Sequence, residues 1–326
     1  MKQFVVIILL LFITDLSLGQ SAPHITLEDK LRIREAITIS EKYGEQIWSG
    51  IGKTTFAIVL VTDSIEFLMF HPAPSPDFSL SETDSILHAK IYWRKRQFSP
   101  NLLATFPAVN GINCVVVGTP ENTGRNTTEW IITLLHEHFH QYVYSQPDYY
   151  ASVEKLELSG DDQTGMWMLN YPFPYSTQGV AKQYNKYVLS LSKAITGYKI
   201  KGYLKQRKKL KELLKPADYR YFSFQLWQEG IARYTEYKFL EAMKSYQPSQ
   251  EVAGMTGFIS FDQYKEKLYT DEIKNLLQVK LPDGQRVCFY ASGFAEGLLL
   301  DKLNPVWRGS FLKDKFYLEN YYKDYK

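Results

Sequence analysis

Between residues 130 and 144 the chain reads WIITLLHEHFHQYVY, and no other stretch constrains its fold and chemistry as tightly. Ile132, Leu135, Phe139 and Val143 recur at the spacing of one helix face. Asn126-Thr127-Thr128-Glu129, just upstream, has the form of a capping box, so the spacing predicts a helix that starts there and buries one side. On that helix His136, Glu137 and His140 stand in the order H-E-x-x-H. The two histidines fall one turn apart on the same face, where both imidazoles can reach one metal ion, and Glu137 projects beside them toward a water. This is the arrangement of a zinc hydrolase, with Glu137 as general base. His138 lies roughly 200° around the helix from His136, at about 100° per residue, and points away from any such metal.

A catalytic zinc takes three protein ligands and leaves a fourth position open. No histidine follows His140, so the third ligand is a carboxylate or one of the upstream histidines His24, His71 and His88. The best candidate lies in a second strongly helical stretch, Gln225 to Glu241, reading QLWQEGIARYTEYKFLE. There Glu229 precedes Gly230, whose missing side chain lets two helices approach closely. Glu236 follows two turns along the same face, placed to orient a histidine ligand from behind. The expected cofactor is one Zn2+ per chain.

At the amino terminus, Lys2, the apolar run Phe4 to Ile13 and Ser17-Leu18-Gly19 read as a secretory signal peptide over residues 1–19, which predicts a secreted or periplasmic protein. The run is too short for a membrane span, and no other stretch qualifies. In an exported chain Cys114 and Cys288 can pair or remain buried thiols, but two cysteines make no disulfide scaffold. A net charge of +3 on 326 residues gives no electrostatic reason to expect a nucleic-acid partner. The basic run Lys201 to Lys215 has interleaved leucines at helical spacing and reads as a solvated helix face.

Residues 25 to 50 read as a helix. Phe56 to Val61 and Ile65 to Phe70 suit a hairpin, Pro72 to Ser85 a loop, and further strands are expected at Ala89–Trp93, Leu103–Phe106 and Ile112–Gly118. The half before the zinc motif is therefore strand-rich and the half after it mostly helical, an α+β order with a cleft between the halves. We divide the mature chain into a sheet-containing subdomain, 20–125, and a helical subdomain, 126–326, with a helical insert at about 145–222.

His136-Glu137 to His140-Gln141 and Trp227-x-Glu229-Gly230-x-Ala232-x-Tyr234-x-Glu236 resemble the H-E-x-x-H-Q and N-E-G-F-A elements of the gluzincin metallopeptidases, most closely the aminopeptidase N family. Tyr290-Ala291-Ser292-Gly293, ahead of the apolar run Leu298 to Leu300, is similar to that family's Y-x-K-G. Gly118-Thr119-Pro120-Glu121-Asn122 is similar to its G-A-M-E-N segment. The chain departs from the family in the 88 residues Gln141 to Gln228 between second histidine and glutamate, in Gln228 for asparagine, in Ser292 for lysine and in Pro120 for methionine. The likeness covers roughly residues 112 to 300, the span of a distant relative's catalytic core.

The resemblance implies a zincin-like (thermolysin-like) fold, with an edge strand above a cleft and two helices supplying zinc ligands. It implies a metallopeptidase that hydrolyses peptide bonds, with Glu137 as base, Tyr290 stabilising the oxyanion, and Gly118 and Glu121 binding substrate; the signal peptide adds that it is exported. Were Glu121 to hold a free substrate amine, the enzyme would be an aminopeptidase. Two other readings compete: a non-catalytic binding protein of zincin fold, and a zinc hydrolase of non-peptide substrates.

Overall fold

The computed structural model describes residues 22–197 and 200–325; the signal peptide expected at 1–19 lies outside them. Helix α1, Leu27–Ile47, opens on Thr26, whose hydroxyl caps the Asp29 N–H at 3.1 Å. Six strands follow: β1 Ile58–Val61, β2 Ile65–Met69, β3 Ser79–Asp84, β4 Ala89–Lys95, β5 Leu103–Val109 and β6 Ile112–Gly118. They form one sheet in the order β3-β4-β2-β1-β6-β5, antiparallel except for the β1–β6 pair. The hairpin from β5 to β6 closes across Asn110 and Gly111, both at positive φ (45° and 71°), the backbone that a two-residue turn between right-twisted strands requires.

Strand β3 corrects the loop expected at Pro72 to Ser85. Its sequence SLSETD is mostly exposed and lacks an apolar face, so only its pairing with β4, interrupted by a bulge between Leu80 and Glu82, makes it a strand. One face of the sheet carries Val59, Val61, Leu68, Cys114 and Val116 under Phe78. The other carries Ile58, Leu60, Phe67, Met69, Val115 and Val117 into the core shared with the helices. That sharing joins the two expected subdomains through one apolar interior.

Across this second face lies α2, Thr127–Tyr144, the helix of the zinc motif. Asn126 and Glu129 cap it reciprocally, as the sequence predicts. Trp130 Nε1 donates to Gly118 O at 2.8 Å near one end, and Gln141 Nε2 donates to Ala57 O and Asn113 O at 2.8 and 2.9 Å near the other. The helix is thereby pinned antiparallel to β6. In the insert, α3, Gln178–Ile195, and α4, Ile200–Leu213, pack against each other. Next come α5, Pro216–Gln225, a single π turn, Leu226–Gly230, and α6, Ile231–Ala242, followed by α7, Phe261–Gln278, and α8, Cys288–Leu303.

α1 also packs on α2 and α6, so the first helix of the strand-rich half sits with the helical layer. Cys114 and Cys288 are both free and buried. Burial pushes their thiols up, to about 12 and about 11. Among the described residues no helix is long and apolar enough to cross a membrane.

Candidate metal centre

The π turn is where the second helix meets the first. Ile231 N–H bonds to Leu226 O five residues back, and this one widened turn carries Glu229 at its inner edge. Its position depends on α8, which crosses with almost no space between backbones. A Cβ on Gly230 would lie 2.4 Å from Gly293 Cα, and one on Gly293 would lie 2.4 Å from Leu226 O. A Cβ on Gly297, one turn further along α8, would strike the Tyr234 ring at 2.6 Å. The crossing therefore needs glycine at each of these positions, and it brings Tyr290, one turn before Gly293, against Glu229.

His136, His140 and Glu229 each offer a ligand atom within 4.8 Å of the other two. The two Nε2 atoms are 3.2 Å apart, and Glu229 Oε2 is 3.8 Å from His136 Nε2 and 3.6 Å from His140 Nε2. Donors bound to one tetrahedral zinc at roughly 2.0–2.2 Å are separated by roughly 3.3–3.5 Å, so a contraction of a few tenths of an ångström at Glu229 completes the triangle. Two imidazoles and a carboxylate suit zinc by donor chemistry as well.

The charges agree with that fit. Burial alone would depress the His136 imidazole, but the Glu229 and Glu236 carboxylates outweigh it and hold it up to about 10. Burial alone would raise the Glu229 carboxyl, but the two imidazoles hold it well below the usual carboxylate range. The cluster thus favours a positive charge at its centre, and a metal ion entering there displaces the proton.

Behind the ligands a second layer fixes the rings. His136 Nδ1 is 2.6 Å from Glu236 Oε1, and Arg233 Nη1 donates to Glu236 Oε2 at 2.8 Å. His140 Nδ1 is 3.0 Å from the Gln228 amide, which also meets the hydroxyls of Tyr144 and Tyr149. A neutral imidazole ligating through Nε2 carries its proton on Nδ1, and Gln228 accepts it once the amide presents oxygen there and nitrogen to Tyr149. Glu137, also buried, accepts from Thr105 Oγ1 of β5 at 2.8 Å. Burial and the nearby Glu229 push the Tyr290 phenol well above its usual range, keeping it a donor. Arg286 Nη1 donates to the same phenol oxygen at 2.9 Å.

The sequence brings together His136, Glu137, His140, Glu229, Glu236 and Tyr290 as the fold does. Gly118 and Glu121 stand ahead of the amino end of α2 and are not among the clustered groups. Strand β6 is paired on both sides, so Gly118 offers no free edge; a Cβ there would meet Pro100 O at 1.7 Å. Glu121 is exposed in the turn before α2, with its charge acting on Asp29 of α1, and Thr127 to His136 alone spans about 14 Å of helix. The free edge beside Glu137 is β5.

Of the upstream histidines, His24 pairs with Glu82 and His71 bonds to Val109 O, so neither joins the cluster. His138 stacks on Phe56 at 3.9 Å between centroids, facing away from the centre as its helical angle requires. Thr105, Tyr144, Arg233 and Arg286 were not readable as site residues. Arg233 alone had a local signal, since it stands one turn from both Glu229 and Glu236.

Searches of protein-family models, of curated proteins and of solved structures returned no match to this chain.

Proposed function

We propose that this chain is an exported zinc metallopeptidase of gluzincin type, a distant relative of the aminopeptidase N catalytic core. The observation that carries the reading is the convergence of His136, His140 and Glu229 on one point, with Glu137 at its side. The zincin-like reading of the fold is supported by the same arrangement: a mixed sheet whose free edge strand flanks the centre, and two helical segments bearing the three ligands.

His136, His140 and Glu229 would hold the zinc, which would supply Lewis acidity and bring the pKa of water toward neutrality. Glu137 takes the water's proton and passes it to the leaving amine, while Thr105 holds the carboxylate in place. Tyr290, which lies against Glu229, would turn its proton to the oxyanion, and Arg286 donates to the phenol oxygen without using that proton. An extended peptide can lie along the β5 edge by strand addition. With Glu121 remote from the centre, the aminopeptidase reading loses its amine anchor.

The test is metal analysis of the purified protein joined to a mixed-peptide cleavage assay, with Glu137→Gln as control. We expect about one zinc per chain in both proteins and a turnover loss of at least about 10² to 10⁴ in the variant. Near-normal turnover in Glu137→Gln would overturn the mechanism. Zinc without peptide cleavage in either protein would favour a binding protein or a hydrolase of other substrates.

A further inference from the structure

Arg286 stands in the 3-10 turn Gln285–Val287 that leads into α8, where Gln285 takes a positive φ of 47° uncommon for a residue with a side chain. Its guanidinium lies 5.7 Å from the Tyr290 ring centroid and donates to Tyr290 Oη, so it borders the metal centre. On its other side it lines a cavity of about 360 Å³. Exposed Leu169 and Val287 flank that cavity, and Asn170 and Tyr171 add polar groups to its wall. Asp283 lines it too, yet among the described residues Arg286 forms no ion pair with any carboxylate.

Other arginines with restricted exposure are treated differently. Arg32, Arg94, Arg207 and Arg233 each face one or more glutamates or aspartates within 3.3 Å. Arg286 is half-buried, and the carboxylate that favours its charge, Glu229, acts from beyond ion-pair distance and already faces the two imidazoles. One guanidinium N–H is spent on Tyr290, and the others are left beside the cavity in the planar fork that suits bidentate contact with a carboxylate.

We propose that Arg286 is a specificity-determining residue that binds a carboxylate of the peptide substrate, seated in this cavity next to the scissile bond. The inference rests on the metallopeptidase reading and adds a substrate class to it: peptides with a negative charge within a residue or so of the cleaved bond. A C-terminal α-carboxylate and an acidic side chain share this chemistry.

The experiment measures binding to the zinc-loaded Glu137→Gln protein by calorimetry, apart from turnover. One probe pair is N-acetyl-tetraalanine as free acid and as amide; the other is N-acetyl-Ala-Ala-Glu-Ala-amide against its glutamine counterpart. A charge-assisted pair predicts that the acid of at least one pair binds roughly tenfold to a hundredfold more tightly than its neutral partner. The pair that shows it identifies the source of the carboxylate. Adding Arg286→Gln should bring the two affinities within twofold at unchanged zinc content, and Arg286→Lys should retain part of the preference. Equal affinities within both pairs, a preference that survives Arg286→Gln with zinc retained, or no binding of any probe would each overturn the proposal. Failure of the peptidase reading itself is read separately, from zinc content and turnover of the unsubstituted protein.

Discussion

Buried Arg207 and half-buried Arg233 each bridge two glutamates, but only the Arg233 cluster ends on the paired imidazoles. Arg207 of α4 sets Nε 3.0 Å from Glu296 Oε1 of α8 and Nη1 2.9 Å from Glu319 Oε2 near the carboxyl terminus. Tyr187 donates to Glu296 at 2.6 Å and Tyr219 to Glu319 at 2.5 Å, so each acid has a cation and a hydroxyl, although Glu319 Oε2 meets the arginine as an ion pair without hydrogen-bond geometry. Arg233 bonds well to Glu236, but its Nε lies 3.3 Å from Glu272 Oε1 without hydrogen-bond geometry. The other oxygen of Glu236 faces His136 and, through it, Glu229. A charge cluster closed on itself is a clasp; one that ends on paired imidazoles is built to be completed by something that arrives.

Breaking the closed cluster should have the largest effect on folding. Arg207→Met leaves fully buried Glu296 and partly buried Glu319 without their cation, so we expect a loss of about 3–5 kcal/mol in urea-monitored stability. Zinc bound per folded chain should not change. A loss of zinc in the folded variant would mean that the clasp also shapes the centre.

Phenol-to-carboxylate contacts separate the regions next. Tyr187→Phe removes a donor to buried Glu296 and should cost stability by about 1–3 kcal/mol. Tyr290→Phe should leave stability nearly unaltered and lower kcat by about 10² to 10³ with little change in KM. An unaltered kcat would make Tyr290 a packing residue like Tyr187.

The sequence carried the parts of this picture that are local. The capping box and apolar stripe of α2, the β1–β2 hairpin and the Asn110-Gly111 turn each depend on a few adjacent residues, and each lies where the pattern places it. Glu229 and Glu236 were legible because a glycine and a helical repeat sit beside them. Strand β3 was not, because an edge strand with a polar sequence is defined by its neighbour. The π turn was not, because a helix interior differs from it only in which carbonyl accepts the bond. Thr105 and Arg286 reach the centre from other elements, and strand order, which the local pattern does not encode, decides that β5 rather than β6 is the free edge.

Glu272 tests the unfinished side by pH. Burial pushes its carboxyl up to about 7; Arg233 opposes this and Glu236 adds to it. The unfolded chain titrates near 4.5, so between 4.5 and 7 the native state binds more protons. This contribution to stability is therefore fully present below pH 4.5 and is lost as pH rises through 7. Glu272→Gln should match the parent at pH 4 and exceed it by up to about 3 kcal/mol at pH 8 in chemical unfolding of the metal-free protein. Equal stability at both pH values would show Glu272 to be as well compensated as Glu319.

The smallest effect concerns the one carboxylate that belongs to both worlds. Glu236 is held below the usual carboxylate range, burial being outweighed by Arg233 and then by His136. It resembles Glu296 in having a fixed arginine, and differs in spending its other oxygen on the His136 ring. Glu236→Gln keeps the size and one acceptor for His136 Nδ1–H but removes the charge that makes the imidazole a stronger donor to the metal. Outer partners of this kind are worth about 10- to 100-fold in metal affinity, so competition with a chelator should show a loss in that range. The same change leaves Arg233 with only Glu272, which the arginine can then approach, so global stability should fall by less than in Arg207→Met. Zinc affinity unchanged in Glu236→Gln, together with a stability loss as large as that of Arg207→Met, would place Glu236 in a second clasp and remove the distinction between the two clusters.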